Sequence, residues 1–165
     1  MKRKIKKKLF LAILSLVFAI CNITAANVNV TASVTPGLTI SISAEPSASN
    51  LVLTTSTTIK IATVTETTNI KAFTVSMLSI NGGSLVGNSV GATLSYTLEY
   101  YDTGTTPGTP TPITLTNVYQ VVFLANSKTN RLGDAKDLVI SYTIIQGGLP
   151  ADTYEDTIYI LIEPV

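Results

Sequence analysis

Apolar residues in this chain recur at every second position over long stretches, and that period decides what it can fold into. In Asn27–Thr35, Val28, Val30, Ala32 and Val34 alternate with Asn29, Thr31, Ser33 and Thr35. Successive side chains of an extended strand point to opposite faces, so all four apolar residues share one face. Pro36-Gly37 follows, a hinge that stops regular pairing and lets the chain change direction. Leu38, Ile40 and Ile42 then form a second one-sided strand. No window after Ala26 carries helical periodicity. Thr, Ser, Val, Ile and Leu dominate, and β-branched side chains suit a pleated surface better than a helix. The chain is all-β.

The same reading places the later strands. Leu51–Leu53 is a short apolar strand, and Ile59, Ile61 and Val64 mark the next, with Thr58, Lys60 and Thr63 on its other face. Ile70–Ile80, with Phe73, Val75 and Met77 at period two, is expected in the middle of a sheet. Asn81-Gly82-Gly83-Ser84 breaks the chain, and a glycine-containing loop is expected as far as Gly91. Leu94, Tyr96, Leu98 and Tyr100 make a half-buried strand. Asp102–Pro112 holds three prolines without backbone donors and is a solvent loop. Ile113–Leu115, Tyr119–Leu124 (Val121 and Phe123 on one face), Leu138–Ile145 and Tyr154–Ile162 complete the set. About eight short strands separated by turn signals predict an immunoglobulin-like β-sandwich.

The first 26 residues stand apart. A basic run from Lys2 to Lys8, an apolar run from Leu9 to Cys21 and the small residues Ala25-Ala26 have the pattern of a secretory signal peptide. The apolar run is short for a bilayer span, which takes roughly 20 residues. A lipoprotein with Cys21 as the lipidated residue is disfavoured by bulky Ile20 where a small residue is expected. Cleavage after Ala25 or Ala26 leaves about 140 residues, the length of one domain. It also leaves Lys60, Lys71, Lys128, Arg131 and Lys136 against ten carboxylates, a formal charge of −5, and no cysteine. A chain so charged offers no basic patch for nucleic acid, and its stability comes from its core or its partners, without disulfides.

Catalytic chemistry finds little to work with. There is no histidine, so neither Ser–His nor Cys–His nucleophiles can be assembled, and zinc lacks its usual ligands. Asp134 with Asp137, or Asp152 with Glu155 and Asp156, lack the spacing of a calcium loop and read as solvated acidic turns. Gly82-Gly83 and Gly147-Gly148 open no helix and are turns rather than phosphate cradles. Asn29-Val30-Thr31 matches a glycosylation sequon by coincidence. The chain is read as a non-enzyme with no cofactor.

The two ends carry the functional expectation. Ile158, Ile160 and Ile162 lie on one face of the last strand, and Tyr159 and Leu161 lie on the other, as in a strand covered on both sides. No later strand is available to pair with it, so an open edge and an apolar groove are expected, with Tyr154, Ile158, Ile160 and Ile162 along the accepting strand. Asn27–Thr35 is the strand to fill it, through Val28, Val30, Ala32 and Val34, with Pro36 and Gly37 as hinge. It either pairs within its own domain or enters a sister copy, a contact that never closes and grows a fibre.

Val28-Asn29-Val30-Thr31-Ala32-Ser33-Val34-Thr35-Pro36 behind a signal peptide resembles the donor strand and proline hinge of the alpha-type chaperone–usher pilins, the major subunits of colonisation-factor fimbriae. The likeness continues through Asp137–Ser141 and Leu149–Thr157; the latter is also similar to the spore-coat-U-like archaic pilins. Asp152 departs from the glycine usual before the Thr/Asn-Tyr pair, and aspartate tolerates a left-handed turn better than most residues. The resemblance implies a sandwich lacking its final strand, filled first by a periplasmic chaperone. An outer-membrane usher then exchanges that strand for the next subunit's Asn27–Thr35. It further implies the shaft of a surface fimbria supporting cell adhesion, associated with a tip adhesin and a host receptor. The alternative is a self-contained secreted or cell-surface immunoglobulin-like domain that binds a ligand or glycan through its loops.

Overall fold

Nine strands are found among the described residues, which are 31–105, 111–144 and 147–165 of this computed structural model. The strands are β1 (Leu38–Ala44), β2 (Thr57–Thr68), β3 (Phe73–Ser79), β4 (Ser84–Gly87), β5 (Thr93–Asp102), β6 (Gln120–Ala125), β7 (Asp134–Tyr142), β8 (Tyr154–Glu155) and β9 (Ile158–Pro164). A 3-10 turn, Pro46–Ser49, joins β1 to β2. The signal segment, Val28 and Val30 lie outside the described residues. The chain divides into two units, Met1–Val34 and Thr35–Val165. Of the first, residues 31–34 are described, and they are irregular and exposed.

The strands form two antiparallel sheets, a large one ordered β1-β2-β7-β5-β4-β8 and a small one ordered β6-β3-β9. Their apolar faces share one core. Ala62, Val64, Leu98, Leu138 and Ile140 come from the large sheet, and Phe73, Val75 and Met77 from the small one. Alternation put these residues on one face of each strand, and burial of that face drives the layers together.

Two β-bulges explain where simple alternation misleads. On β2 the pairing with β7 shifts between Lys60 and Ala62. A bulge moves the inward face by one residue, so the apolar series steps from Ile59 and Ile61 to Ala62 and Val64. On β6 the pairing with β3 shifts between Val75 and Ser76, and Phe123 opposes Val75 while Val121 opposes Ser76. Val122 and Phe123 therefore both pack on the core, and Val121 is exposed. The expectation that Val121 and Phe123 share a face is corrected on this ground.

Other differences are local. Ser84–Gly87 is strand β4 where a loop was expected. Leu51–Leu53 and Ile113–Leu115 are not strands; Ile113 makes only an isolated bridge to Leu98. β7 begins at Asp134, four residues before the expected start, because β2 pairs with it as far as Glu66↔Asp134. The expected strand Tyr154–Ile162 is divided at Asp156-Thr157: β8 joins the large sheet through Gly87↔Tyr154, and β9 joins the small one.

Candidate assembly interface

β1 ends the large sheet and β9 ends the small one, so each has one edge without a ladder partner. The two edges face one another: Cα atoms of β1 and β9 approach within 8 Å, yet the strands do not pair. β9 runs antiparallel to β3, setting Ile158 opposite Ser79, Ile160 opposite Met77 and Ile162 opposite Val75. Val75 and Met77 are fully buried, whereas Ile158, Ile160 and Ile162 are only half-buried although they pack on the same core. Across the seam Leu38 and Ile40 are half-buried as well, and Ile42 is 51% exposed. The core is thus fully covered at its centre and only partly covered along the seam. A strand between two others needs about 9.5 Å, twice the ladder spacing, so filling the seam along its whole length moves β1 outward.

The structure places the expected residues as follows. Ile158, Ile160 and Ile162 line the seam on β9. Tyr154 does not join them; it sits on β8, where its hydroxyl donates to the Pro150 carbonyl at 2.9 Å. This corrects its assignment to the accepting strand, and the physical reason is the break at Asp156. Ala32 and Val34 are exposed and outside any strand, Val34 at 81%.

The hinge is held at a fixed point. The Gly37 amide donates to Asn69 Oδ1 at 2.7 Å, and Asn69 Nδ2 donates to the Thr35 carbonyl at 2.9 Å. The Gly37 carbonyl accepts from the Thr68 hydroxyl at 3.0 Å. Proline lacks a donor at position 36, and the Asn69 amide supplies what a neighbouring backbone would. Asn69 escaped the sequence reading because its partners are more than 30 positions away. Gly37 needs no glycine for space, since a Cβ there meets nothing within 4 Å.

At the opposite pole, Asp156 anchors the start of β9. Its carboxylate accepts from the Ser79 hydroxyl and the Tyr96 hydroxyl, both at 2.5 Å, and from the Asn81 amide at 3.1 Å. Burial, and then the bond to Asp156, push the Tyr96 hydroxyl well above its ordinary value. Asp152 accepts from the Ser89 and Val90 amides at 2.8 and 2.9 Å, and these backbone donors lower its carboxyl below the usual range. No non-glycine residue among those described has positive φ. Asp152 therefore does not use the left-handed conformation that aspartate tolerates. Gly87 leaves room for it: a Cβ at Gly87 would stand 2.7 Å from Asp152 Oδ2.

Near the hinge pole, the buried Glu66 accepts from the Tyr100 hydroxyl at 2.6 Å. Burial raises its carboxyl, with Tyr100 and then Lys136 pulling the other way. Lys136 Nζ lies 4.2 Å from the centre of the Phe123 ring and pairs with Asp102. Asp134 is bonded to Asn130 and Asp137 to Lys60 and Thr103. Among the described residues no three carboxylates are grouped to hold a metal ion, and no helix is long and apolar enough to cross a membrane.

No protein-family model matches the chain, and no curated protein matches it.

Proposed function

We propose that this chain is a structural subunit of a surface fibre, an immunoglobulin-like sandwich completed by a strand lent by a sister copy. One observation carries the reading: the core is only partly covered at the seam between β1 and β9, where two edges without ladder partners come together. A one-sided apolar segment, Asn27–Thr35, precedes β1 in the same chain. The segment and the seam are complementary in kind, since a strand added to an exposed edge gains main-chain hydrogen bonds while alternate side chains enter the core. In this proposal Val28, Val30, Ala32 and Val34 face Ile158, Ile160 and Ile162.

Docking contributes on the order of 1.5–3 kcal/mol for each fully buried valine, against roughly 1–2 kcal/mol per residue for ordering the segment. Summed over three valines and nine residues, ordering outweighs burial until ladder bonds are counted. The proposed fibre persists because the lent strand leaves only when its host opens, which is a kinetic barrier. Until a sister strand arrives the seam is an aggregation hazard. A periplasmic chaperone covering it, and an outer-membrane usher effecting the exchange, are the partners this chemistry calls for.

The test is a gel of unheated fibre preparations from cells and of purified mature protein. A ladder of heat-sensitive multimers is expected, and deletion of residues 27–35 should abolish it while leaving a folded monomer. If the deletion instead lowers monomer stability and the intact protein shows no multimers, the segment pairs in its own domain and the fibre reading fails.

A further inference from the structure

The charges of the domain are divided between its two poles. Strand register defines them: Leu38, Thr68, Phe73, Ala125 and Pro164 end their strands at the hinge pole, and Ala44, Ser79, Gln120 and Ile158 at the far pole. Lys71, Lys128 and Arg131 all project at the hinge pole, exposed and in no salt bridge among the described residues. Lys128 and Arg131 rim a pocket of about 570 Å³ that also takes in Gly37, Leu38 and Asn69, where the amino-terminal segment begins. Of the carboxylates nearby, Asp102 is paired with Lys136. Asp134 is bonded to the neutral Asn130, which leaves its charge uncancelled, and Glu163 is exposed on the outer face of β9. Lys71, Lys128 and Arg131 thus outnumber these two unpaired carboxylates.

The far pole is the reverse. Asp152, Glu155 and Asp156 lie there. Of the segments that build it, 79–95, 113–120 and 142–158 contain no lysine or arginine, and 44–60 contributes only Lys60, which is paired with Glu45 and Asp137. The hydrogen bonds to Asp152 and Asp156 satisfy their oxygens without cancelling their charge, and Glu155 is exposed.

We propose that the hinge-pole pocket receives the far pole of a second copy, with Lys128 and Arg131 set against Glu155 and its neighbours. This rests on the fibre reading and adds a second contact to it. In a head-to-tail repeat one pole of each copy necessarily meets the opposite pole of the next. Only Pro36 and Gly37 separate the lent segment from β1, and Asn69 pins them at the pocket's edge, so the two domains are drawn together there. A tail-to-tail arrangement sets like charges in contact and is disfavoured by the same fields. Complementary poles steer the encounter and fix its register more than they add affinity.

The experiment is a charge swap in the full mature chain, following multimer growth at low and high salt. Lys128→Glu with Arg131→Glu is expected to slow growth about tenfold at low salt, the lower end of what steering supplies. Glu155→Lys with Thr157→Lys, both exposed positions, is expected to slow it similarly. Combining the four substitutions restores growth towards that of the unaltered chain. In about 1 M salt, where screening extends only some 3 Å, the differences collapse. Growth unaffected by either reversal, or not recovered in the combined variant, overturns the pole-to-pole contact and leaves the lent strand standing. Absence of multimers from the unaltered chain overturns the fibre reading and this contact with it.

Discussion

Ile160→Ala separates the seam from the rest of the core in one measurement. Ile160 sits opposite Met77 on β9, yet Met77 is fully buried and Ile160 only half-buried. Truncating a fully buried isoleucine to alanine costs about 2–5 kcal/mol. With roughly half the side chain already in water, the isolated monomer should lose about 1–2 kcal/mol. A domain of this size then melts roughly 3–10 °C lower. Once a sister strand covers the seam the same side chain is enclosed, and truncation should cost the multimer about as much again. Val75→Ala, on the neighbouring central strand, is the control, since Val75 is fully buried with or without a partner. The assay is thermal: unfolding of the monomer by circular dichroism, and the temperature at which multimers dissociate on a gel. Ile160→Ala should lower the multimer's temperature by more than the monomer's, and Val75→Ala should lower both alike. Equal effects of Ile160→Ala on monomer and multimer would refute the claim that the seam is what the partner covers.

Three further outcomes follow from single contacts. Gly133 has φ +88, and a Cβ there would stand 2.5 Å from Thr67 Oγ1 and 2.8 Å from the Glu66 carbonyl oxygen; Gly133→Ala should destabilise by about 2–4 kcal/mol, read as a lower denaturant midpoint. Asp156→Ala strips the buried Ser79 and Tyr96 hydroxyls of their shared acceptor; it should cost about 2–4 kcal/mol, whereas Tyr96→Phe, which removes one donor only, should cost less. Glu66 has a carboxyl raised by burial, so it holds its proton more tightly folded than unfolded. Its contribution is therefore fully present below the ordinary value of 4.5 and is lost as pH rises through the folded value. Glu66→Gln keeps an oxygen for Tyr100 and cannot ionise; thermal melts across pH should show a flatter slope in that window, and an unchanged slope would refute the assignment.

Local periodicity decided a great deal. Leu38–Ile42, Phe73–Met77 and Leu94–Tyr100 became strands because each alternates over enough residues to bury one face, and a period of two belongs to the chain itself. The two-faced apolar character of β9 was equally legible in Ile158 to Ile162. Partnership was a tertiary matter. The bulges on β2 and β6, the early start of β7, and the assignment of Tyr154 to one sheet and Ile158 to the other arise from which strands lie side by side. So does the clamp of Asn69 on Gly37, and so does the Asp156 cluster, whose members are 60 to 77 positions apart. A one-sided strand announces that it must be covered, since that follows from its own side chains. Where the cover is missing depends on the order of strands in both sheets, and only the packed fold sets β1 and β9 at facing edges.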